Sequence, residues 1–408
     1  MSPLFFWVVA ELERGQISGP QATFLVIGII LPTAILFLPA FASEAARQNA
    51  WIVPWVALPQ GVAALALAWT LSKNFPGMTP AQYAAPLLGK VAGKIVAVLL
   101  ILYVFIPAAV ILREFAEFIV IAFLPSTPPL VLAGLVGLLS AYCIRGGLEV
   151  VARVATLVMI LILASFFLIL LLVLNMVDFH NLQPWTEVRL RDLVRGALPP
   201  GAWMGEVTFA AYFLPFVYPP RTGFTACLAG LVIITLVLSV NAAFTTAVFG
   251  ASDARLIFPF FELARQVNIA DFITRIDAVI MVVWVAGNFV KFTVWLYVGT
   301  LATAQMLNLR DYRPLLLPLV LTETAWAVLF FDSVPEMTHW VSKTWPPYSA
   351  TMQILLPLLL LGVAKLKATL PGGTSTNSPG VKGNRAAGTG RNPRPRSRPA
   401  REGWPGPQ

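Results

Sequence analysis

Residues 27–39 read Ile27-Gly28-Ile29-Ile30-Leu31-Pro32-Thr33-Ala34-Ile35-Leu36-Phe37-Leu38-Pro39, and this run is the most informative part of the sequence about its architecture. It lies inside an apolar stretch over residues 20–41, which is long enough to cross a bilayer as a helix. Its one glycine and two prolines weaken or interrupt a helix. The pattern predicts a membrane helix that breaks at mid-depth, although such residues also serve as packing or kink devices in membrane helices.

A second stretch, over residues 201–218, has the same character, with two glycines and a proline inside an apolar run. Irregular backbone at this depth is tolerated only where protein buries it or where it lines a cavity. Its free N–H and C=O groups can there hold a carboxylate, an ammonium or an ion. We therefore predict a ligand site between two broken helices, formed by Gly28, Ile29, Pro32, Gly205 and Glu206.

The composition indicates that a lipid bilayer surrounds most of the chain. Of its 408 residues, 58% are hydrophobic and 12% are charged, whereas soluble domains carry about 25% charged residues. Apolar runs predict ten helices, near residues 20–41, 51–70, 94–124, 128–144, 154–177, 201–218, 224–249, 276–306, 314–331 and 347–365. Five spans put the second half in the opposite orientation to the first, so an inverted repeat is possible. The predicted fold class is an all-α membrane protein.

The charges predict the orientation and the domain limits. Acidic residues follow the short apolar N-terminus where a signal-peptide cleavage site would stand, so we expect the N-terminus to remain cytoplasmic. The predicted inner loops then hold more Lys and Arg than the outer loops, as the positive-inside rule requires. We divide the chain into a cytoplasmic segment (1–19), a ten-helix permease-like domain (20–367) and a disordered basic tail (368–408), with both termini cytoplasmic.

The formal net charge of +9 is concentrated in that tail. Its Gly, Pro, Ser and Arg composition cannot bury enough apolar surface to become ordered. The tail is expected to touch anionic lipid headgroups or, as the alternative, to bind a dedicated partner. The charge is therefore not evidence for a nucleic-acid partner.

Ionisable side chains inside the spans are the candidates for function, because each costs about 2.5–3.5 kcal/mol at the centre of a membrane helix. Glu206 accepts a proton, binds a ligand ammonium, or is a structural carboxylate that caps backbone N–H groups. Lys291, a predicted ligand-binding residue, replaces a bound cation, neutralises an internal carboxylate such as Glu206, or extends to the inner interface. Glu323 is a candidate partner for Lys291.

Two further charges lie four residues apart in the third span. Arg113 and Glu117 therefore share one face of the helix, with Glu114 turned away. At 1.5 Å per residue they are expected toward the outer third of the membrane. The pattern predicts an intrahelical ion pair or, as the functional alternative, an extracellular gate.

Enzyme and cofactor signatures are absent from the sequence. It has no P-loop, no G-x-S-x-G motif and no histidines at zinc spacing. Cys143 and Cys227 are far apart, and His180 and His339 fall in different predicted loops. We expect no metal, no disulfide, no cofactor and no enzyme activity.

Several motifs stand in order along the membrane region. They are Ile27-Gly28 through Leu38-Pro39, Phe75-Pro76-Gly77-Met78-Thr79-Pro80, Leu88-Gly89-Lys90-Val91-Ala92-Gly93-Lys94, Gly147-Leu148-Glu149 with Arg153, Asn181-Leu182-Gln183-Pro184, Gly205-Glu206, and Phe258-Pro259 through Arg275-Ile276-Asp277 to Lys291. By their order and spacing, the chain from Gln16 to Lys367 resembles the permease-like B subunit of bacterial spore germinant receptors, in the amino acid–polyamine–organocation superfamily.

This resemblance implies a ten-helix inverted repeat of the leucine-transporter type, with broken helices one and six. It also implies an amino acid or similar nutrient bound between helices one, three, six and eight, and a location in the inner membrane of an endospore. The implied partners are a larger A subunit and a lipoprotein C subunit, and nutrient binding triggers germination. The basic tail departs from the family pattern, and no role is carried over to it.

Two functions remain open. The chain is a nutrient sensor whose bundle shifts when ligand binds, or it is a proton-coupled secondary amino acid transporter in which Glu206 or Lys291 changes protonation. A membrane-embedded enzyme is disfavoured, because no nucleophile or metal constellation is visible.

Overall fold

The computed structural model describes residues 12–13, 15–185, 189–267 and 276–369, and the regular structure within them is helical. Most of the predicted basic tail lies outside the described residues. The ten membrane helices are α1 Gly19–Ala46, α2 Val53–Asn74, α3 Lys90–Ala122, α4 Pro129–Arg145, α5 Leu148–Leu172, α6 198–216, α7 Gly223–Phe249, α8 Ile276–Met306, α9 Leu316–Leu329 and α10 Val334–Thr369. Two short helices, Pro80–Leu88 and Pro259–Arg265, lie in the connections between α2 and α3 and between α7 and α8.

The length and composition of these helices are those of a multi-pass membrane protein. Among the described residues, six helical stretches are long and apolar enough to cross a bilayer, and one of them contains both α1 and α2. The other three helices are shorter: α4 has 17 residues, α9 has 14, and α6 is interrupted. Large apolar side chains on α4 and α5 are exposed, as expected of helices that face lipid.

The helix α1 lies inside the bundle. The contacts of its two ends show how it is oriented relative to α6. Every side chain from Leu25 to Pro39 is buried. Just before its start, Ile17 exchanges backbone hydrogen bonds of 2.9 Å with Phe216 and Tyr218, at the end of α6. Near its other end, Phe41 contacts Trp203 in the first turns of α6, with ring centroids 6.1 Å apart. The helices α1 and α6 are therefore antiparallel, as the predicted inverted repeat requires.

The predicted break in α1 is not present, because the helix is continuous from Gly19 to Ala46 with both prolines inside it. Pro39 has no N–H to donate to the carbonyl of Ile35, and Asn241 of α7 donates its side-chain amide there instead, at 2.7 Å. Neighbouring helices commonly satisfy backbone groups that a proline frees in a membrane helix. A Cβ on Gly28 would lie 2.8 Å from Val290 Cγ1, so Gly28 marks close packing between α1 and α8.

The helix α6 does change its geometry at the predicted place. An α-helical segment, Leu198–Met204, passes into a 3-10 segment, Gly205–Phe209. A Cβ on Gly205 would collide with the side-chain oxygen of Gln353 in α10. The amide nitrogen of Gln353 donates to the carbonyl of Ala202, at 2.9 Å. The glycine therefore lets α10 approach the backbone of α6 where that helix tightens.

The two largest differences from the predicted helix starts are in α10 and α5. The helix α10 starts at Val334 rather than near residue 347, so His339 is helical and not in a loop. Wide π-helical turns at Trp340–Thr344 and Thr351–Leu355 lie on either side of Pro346 and Pro347 within this helix. The helix α5 starts at Leu148 rather than near residue 154, because Gly147 begins it with a positive φ of 82°.

Candidate functional site

A buried ion pair joins three helices at the centre of the bundle. The Nζ atom of Lys291 in α8 donates to Glu206 Oε2 of α6 at 2.8 Å and to Thr33 Oγ1 of α1 at 2.9 Å. The two charged side chains are 1% and 2% exposed. Such a pair is stable only when its partners have good geometry, because each charge has lost its hydration. Lys291 therefore does not extend to the interface, and its carboxylate partner is Glu206.

The pair lines a small cavity between five helices, with about 270 Å³ of empty space. Its other lining residues are Thr33 of α1, Pro107, Val110, Ile111 and Glu114 of α3, Trp203 of α6, and Trp340, Val341 and Trp345 of α10. The rings of Trp340 and Trp345 are stacked at 5.7 Å, and both stand in or next to the first π turn of α10. Such turns are frequent at functional sites because they change which side chains face inward.

Of the six predicted ligand-binding residues, Glu206 and Lys291 line this cavity. Gly28, Ile29 and Gly205 are packed among neighbouring helices instead. Pro32 lines a separate apolar cavity of about 440 Å³ between α1, α3, α5 and α8. The charged side chains, rather than backbone freed by a break in α1, supply the polar groups of the central site.

The residues considered as a gate lie apart from the cavity. Arg113 pairs with Glu117 at 2.7 Å within α3. It also donates to the carbonyls of Ala327 and Val328, in the last turn of α9, where a cation complements the helix dipole. Glu323 is buried, and its Oε2 atom has no partner among the described residues. The suggested pairing of Glu323 with Lys291 is therefore absent.

The cavity also contains Glu114, Thr33 and three tryptophans, which were not predicted as site residues. Glu114 faces away from Arg113 and Glu117 on α3, as the helix period predicts, and that direction is where the cavity lies. Glu114 could have been identified as a site residue, because it is an ionisable side chain that faces away from the ion pair on its own helix. The tryptophans could not be identified, because the local sequence does not distinguish a lipid-facing aromatic residue from a buried one.

A larger cavity of about 2100 Å³ opens at the far end of α1. It is lined by the end of α1, the connection to α2, the start of α6 and α10, and carries Glu44, Arg47, Arg189, Asp192, Arg195 and Lys343. Its residues Pro199 and Ser342 lie within about one turn of Trp203 and Trp345, since a turn has 3.6 residues. We call this larger cavity the vestibule.

At the opposite end of α1, a buried carboxylate joins several segments through hydrogen bonds. Glu13 accepts hydrogen bonds from the backbone N–H groups of Gly15 and Leu148, at 2.8 and 2.9 Å. It also accepts from the hydroxyls of Tyr297 in α8 and Tyr312, at 3.2 and 3.4 Å. The carboxylate lies at the N-terminus of α5, where a helix favours negative charge. The segment before α1 is thereby tied to α5 and α8.

A second carboxylate, Asp253, ties the far end of α1 to α7. Its Oδ2 atom accepts from Ser43 at 2.6 Å, from Thr246 at 3.0 Å and from Thr245 at 3.2 Å. Burial raises the pKa of Asp253, while these three hydrogen bonds lower it by a smaller amount. The side chain is fully buried, so the cluster is an internal tie rather than a surface contact.

The described residues contain no group of three or more His, Cys, Asp or Glu side chains that could hold a metal ion. Cys143 and Cys227 are both buried and free.

Known proteins resemble this chain in sequence and in fold. A family model described as "Spore germination protein" matches residues 16–336. Spore germination protein KB of Bacillus subtilis is 24% identical over 362 residues, which are 87% of this chain and 96% of that protein. Spore germination protein YndE of Bacillus subtilis is 23% identical over 71% of this chain and 81% of its own length. Spore germination protein GerQB of Bacillus cereus is 23% identical over 69% and 78%.

Solved transporter structures share the fold. A Na⁺-coupled sialic acid symporter in a substrate-bound outward-open state has a TM-score of 0.60 at 12% identity, over 87% of this chain and 84% of that chain. The manganese transporter of Eremococcus coleocola has a TM-score of 0.55 at 13% identity, over 88% and 78%. The fold is of the leucine-transporter type, as predicted. These relatives and neighbours indicate a permease-like or receptor subunit rather than an enzyme.

Proposed function

Because the chain belongs to the spore germination protein family, we propose that it is the nutrient-binding membrane subunit of a spore germinant receptor. The observation that carries the proposal is the buried contact of Lys291 with Glu206 and Thr33 beside a cavity. Buried charges inside a membrane bundle are costly, and they mark ligand or ion sites by default. The ligand is a small nutrient, with an amino acid as the first candidate.

The proposed mechanism uses the position of Lys291 between two helices. A nutrient with a charged group competes for Lys291 or Glu206 when it enters the cavity. Since these side chains hold α1 and α6 against α8, a change of partners alters how the three helices pack. Ligand then favours one arrangement of the bundle by as much as it binds that arrangement more tightly. Partner A and C subunits would respond to the shift, leading to germination.

We propose that the vestibule faces away from the cytoplasm and admits the nutrient. The larger open cavity is at that end of α1, whereas Glu13 and the Ile17 contact close the other end. The excess of basic residues in the loops at the closed end supports a cytoplasmic position for it. In this orientation the nutrient reaches the chain from outside the inner membrane of the spore.

A proton-coupled secondary transporter is the second candidate. The structural neighbours named above are transporters, and a carboxylate paired with a lysine can exchange a proton. The deciding experiment is uptake of radiolabelled amino acids by proteoliposomes that contain this chain alone. We expect binding without concentrative uptake, and robust concentrative uptake would contradict the sensor proposal.

The site itself is tested in spores whose nutrient response depends on this chain. Glu206→Gln is expected to alter the nutrient concentration needed for germination, while the exposed Glu149→Gln serves as the control. If Glu206→Gln inserts into the membrane normally and its germination depends on nutrient and pH as in the wild type, Glu206 has only a structural role.

A further inference from the structure

The central cavity contains one carboxylate more than its lysine neutralises. Three ionisable side chains line it, namely Glu114, Glu206 and Lys291. The ammonium of Lys291 is committed to Glu206 and Thr33. Glu114 is 4% exposed, and it has no hydrogen-bond or salt-bridge partner in the described part of the chain. A buried carboxyl group without a hydrogen-bond partner is neutralised either by a proton or by a positively charged species, so an ammonium that enters the cavity is stabilised beside it.

The remaining walls also suit a cation. Trp203, Trp340 and Trp345 line the same cavity as Glu114. Indole faces attract ammonium groups, and the attraction is larger where water is excluded. The carboxylate and the aromatic rings come from three helices, α3, α6 and α10, so a bound cation would join elements that the Lys291 contact leaves separate.

We propose that Glu114 is the recognition group for the ammonium of a small ligand, and that the three tryptophans enclose that ammonium. The cavity is small, since its space of about 270 Å³ includes the part that is open to solvent, and a small amine or amino acid is therefore the ligand class proposed. Val110 and Ile111 also line the cavity on α3, and they offer an apolar surface to the side chain of the ligand. This inference rests on the proposed function, because it assigns a ligand class to the same cavity.

The test measures binding to the purified full chain in lipid nanodiscs by calorimetry, with two sets of probes. The first set is the twenty common L-amino acids, each tested alone. The second set lacks an ammonium and consists of L-lactate, propionate, glucose and inosine. L-lactate is the matched probe for L-alanine, because a hydroxyl replaces its ammonium. We expect at least one amino acid to bind and every probe of the second set to fail.

The variants identify the recognition group. Glu114→Gln keeps the size of the side chain and is expected to weaken amino acid binding at least about tenfold, the loss typical of a hydrogen bond to a charged group. Glu114→Asp keeps the charge and is expected to recover part of the affinity. Glu262→Gln, on the short helix between α7 and α8, is the control and should bind as the wild type does. Thermal unfolding of each variant checks that the bundle is intact.

The outcomes separate this inference from the proposed function. Binding confined to the second set, or amino acid binding that Glu114→Gln leaves unchanged in a folded protein, overturns the role of Glu114 while nutrient binding stands. Binding of no probe counts against the nutrient site as a whole. Amino acid binding that falls in Glu114→Gln and partly returns in Glu114→Asp supports the inference.

Discussion

The helices α1 and α6 occupy equivalent places in the two halves of the bundle but differ in their backbone. The helix α1 is regular over 28 residues, whereas α6 changes from α-helical to 3-10 geometry at Gly205. In α1 a side chain from α7 satisfies the carbonyl that a proline leaves free. In α6 a side chain of α10 occupies the space that a Cβ on Gly205 would need.

In this pair, contacts from neighbouring helices account for whether a glycine or proline interrupts the membrane helix. The same comparison locates the polar centre of the molecule. It is formed by side chains where α1, α6 and α8 meet, at Thr33, Glu206 and Lys291. Each helix contributes one group, so the site depends on the packing of all three.

The largest effect is expected where α1 and α6 are joined through Lys291. Lys291→Met leaves Glu206 buried without its partner, which typically costs about 3–5 kcal/mol. The double variant Lys291→Met with Glu206→Gln should regain a large part of that loss, because no charge of the pair remains. The measurement is the free energy of unfolding in mixed micelles, with the exposed Lys90→Met as the control. A single variant as stable as the wild type would contradict the pairing.

A smaller effect is expected in α6. Gly205→Ala forces a Cβ against Gln353, and overpacking of this kind typically costs about 1–3 kcal/mol. Gly362→Ala in α10 is the matched control, since nothing lies within 4 Å of its Cβ position. Unfolding in mixed micelles should separate the two substitutions, and equal stabilities would mean that α10 does not approach α6 as described.

In α1 the corresponding test is Asn241→Ala. It removes the donor to the Ile35 carbonyl, and an unsatisfied buried carbonyl costs about 1–3 kcal/mol. Adding Pro39→Ala restores a backbone N–H to the same carbonyl, so the double variant should lose less stability than the sum of the two single variants. Simple additivity in a double-mutant cycle would show that the two donors do not share an acceptor.

The contact between the start of α1 and the rest of the bundle can be weakened without touching the cavity. Glu13→Gln removes the charge that accepts from Gly15 and Leu148, at a cost of about 1 kcal/mol. Hydrogen exchange of these two amides is expected to accelerate about fivefold, following the local loss of stability. Exchange at the mid-helix amides of α6 should stay unchanged, and a uniform acceleration would indicate general unfolding instead.

The smallest effect is expected at the other end of α1, and it depends on pH. Because burial raises the pKa of Asp253 in the folded protein, the folded state binds a proton more readily than the unfolded chain. Stability from this group is therefore present at low pH and is lost as pH rises from the ordinary aspartate value through the raised one. Lowering the pH from neutral toward the ordinary aspartate pKa should stabilise the wild type relative to Asp253→Asn, as measured by thermal unfolding at each pH. A difference between the two proteins that is independent of pH would contradict the raised pKa.

Much of the fold could be predicted from the sequence. The apolar runs predict the membrane helices, and the predicted limits are least accurate at the starts of α5 and α10, where charged residues interrupt the apolar run. The central site was predicted in part. Glu206 and Lys291 were identifiable because ionisable groups in apolar runs are rare. Gly28 and Gly205 were assigned to ligand binding on their sequence alone, although in the structure each of them is a point of close helix packing.

Hydropathy alone identifies this chain as a ten-helix membrane protein with ionisable side chains inside its spans. Hydropathy is a sum over neighbouring residues, so it needs no knowledge of the fold. The tertiary structure decided that Lys291 meets Glu206, 85 residues away, rather than Glu323. It also decided that α1 stays continuous and that Glu114 faces the cavity. These outcomes depend on which helices approach one another, because hydrogen bonds and ion pairs act only over a few ångströms.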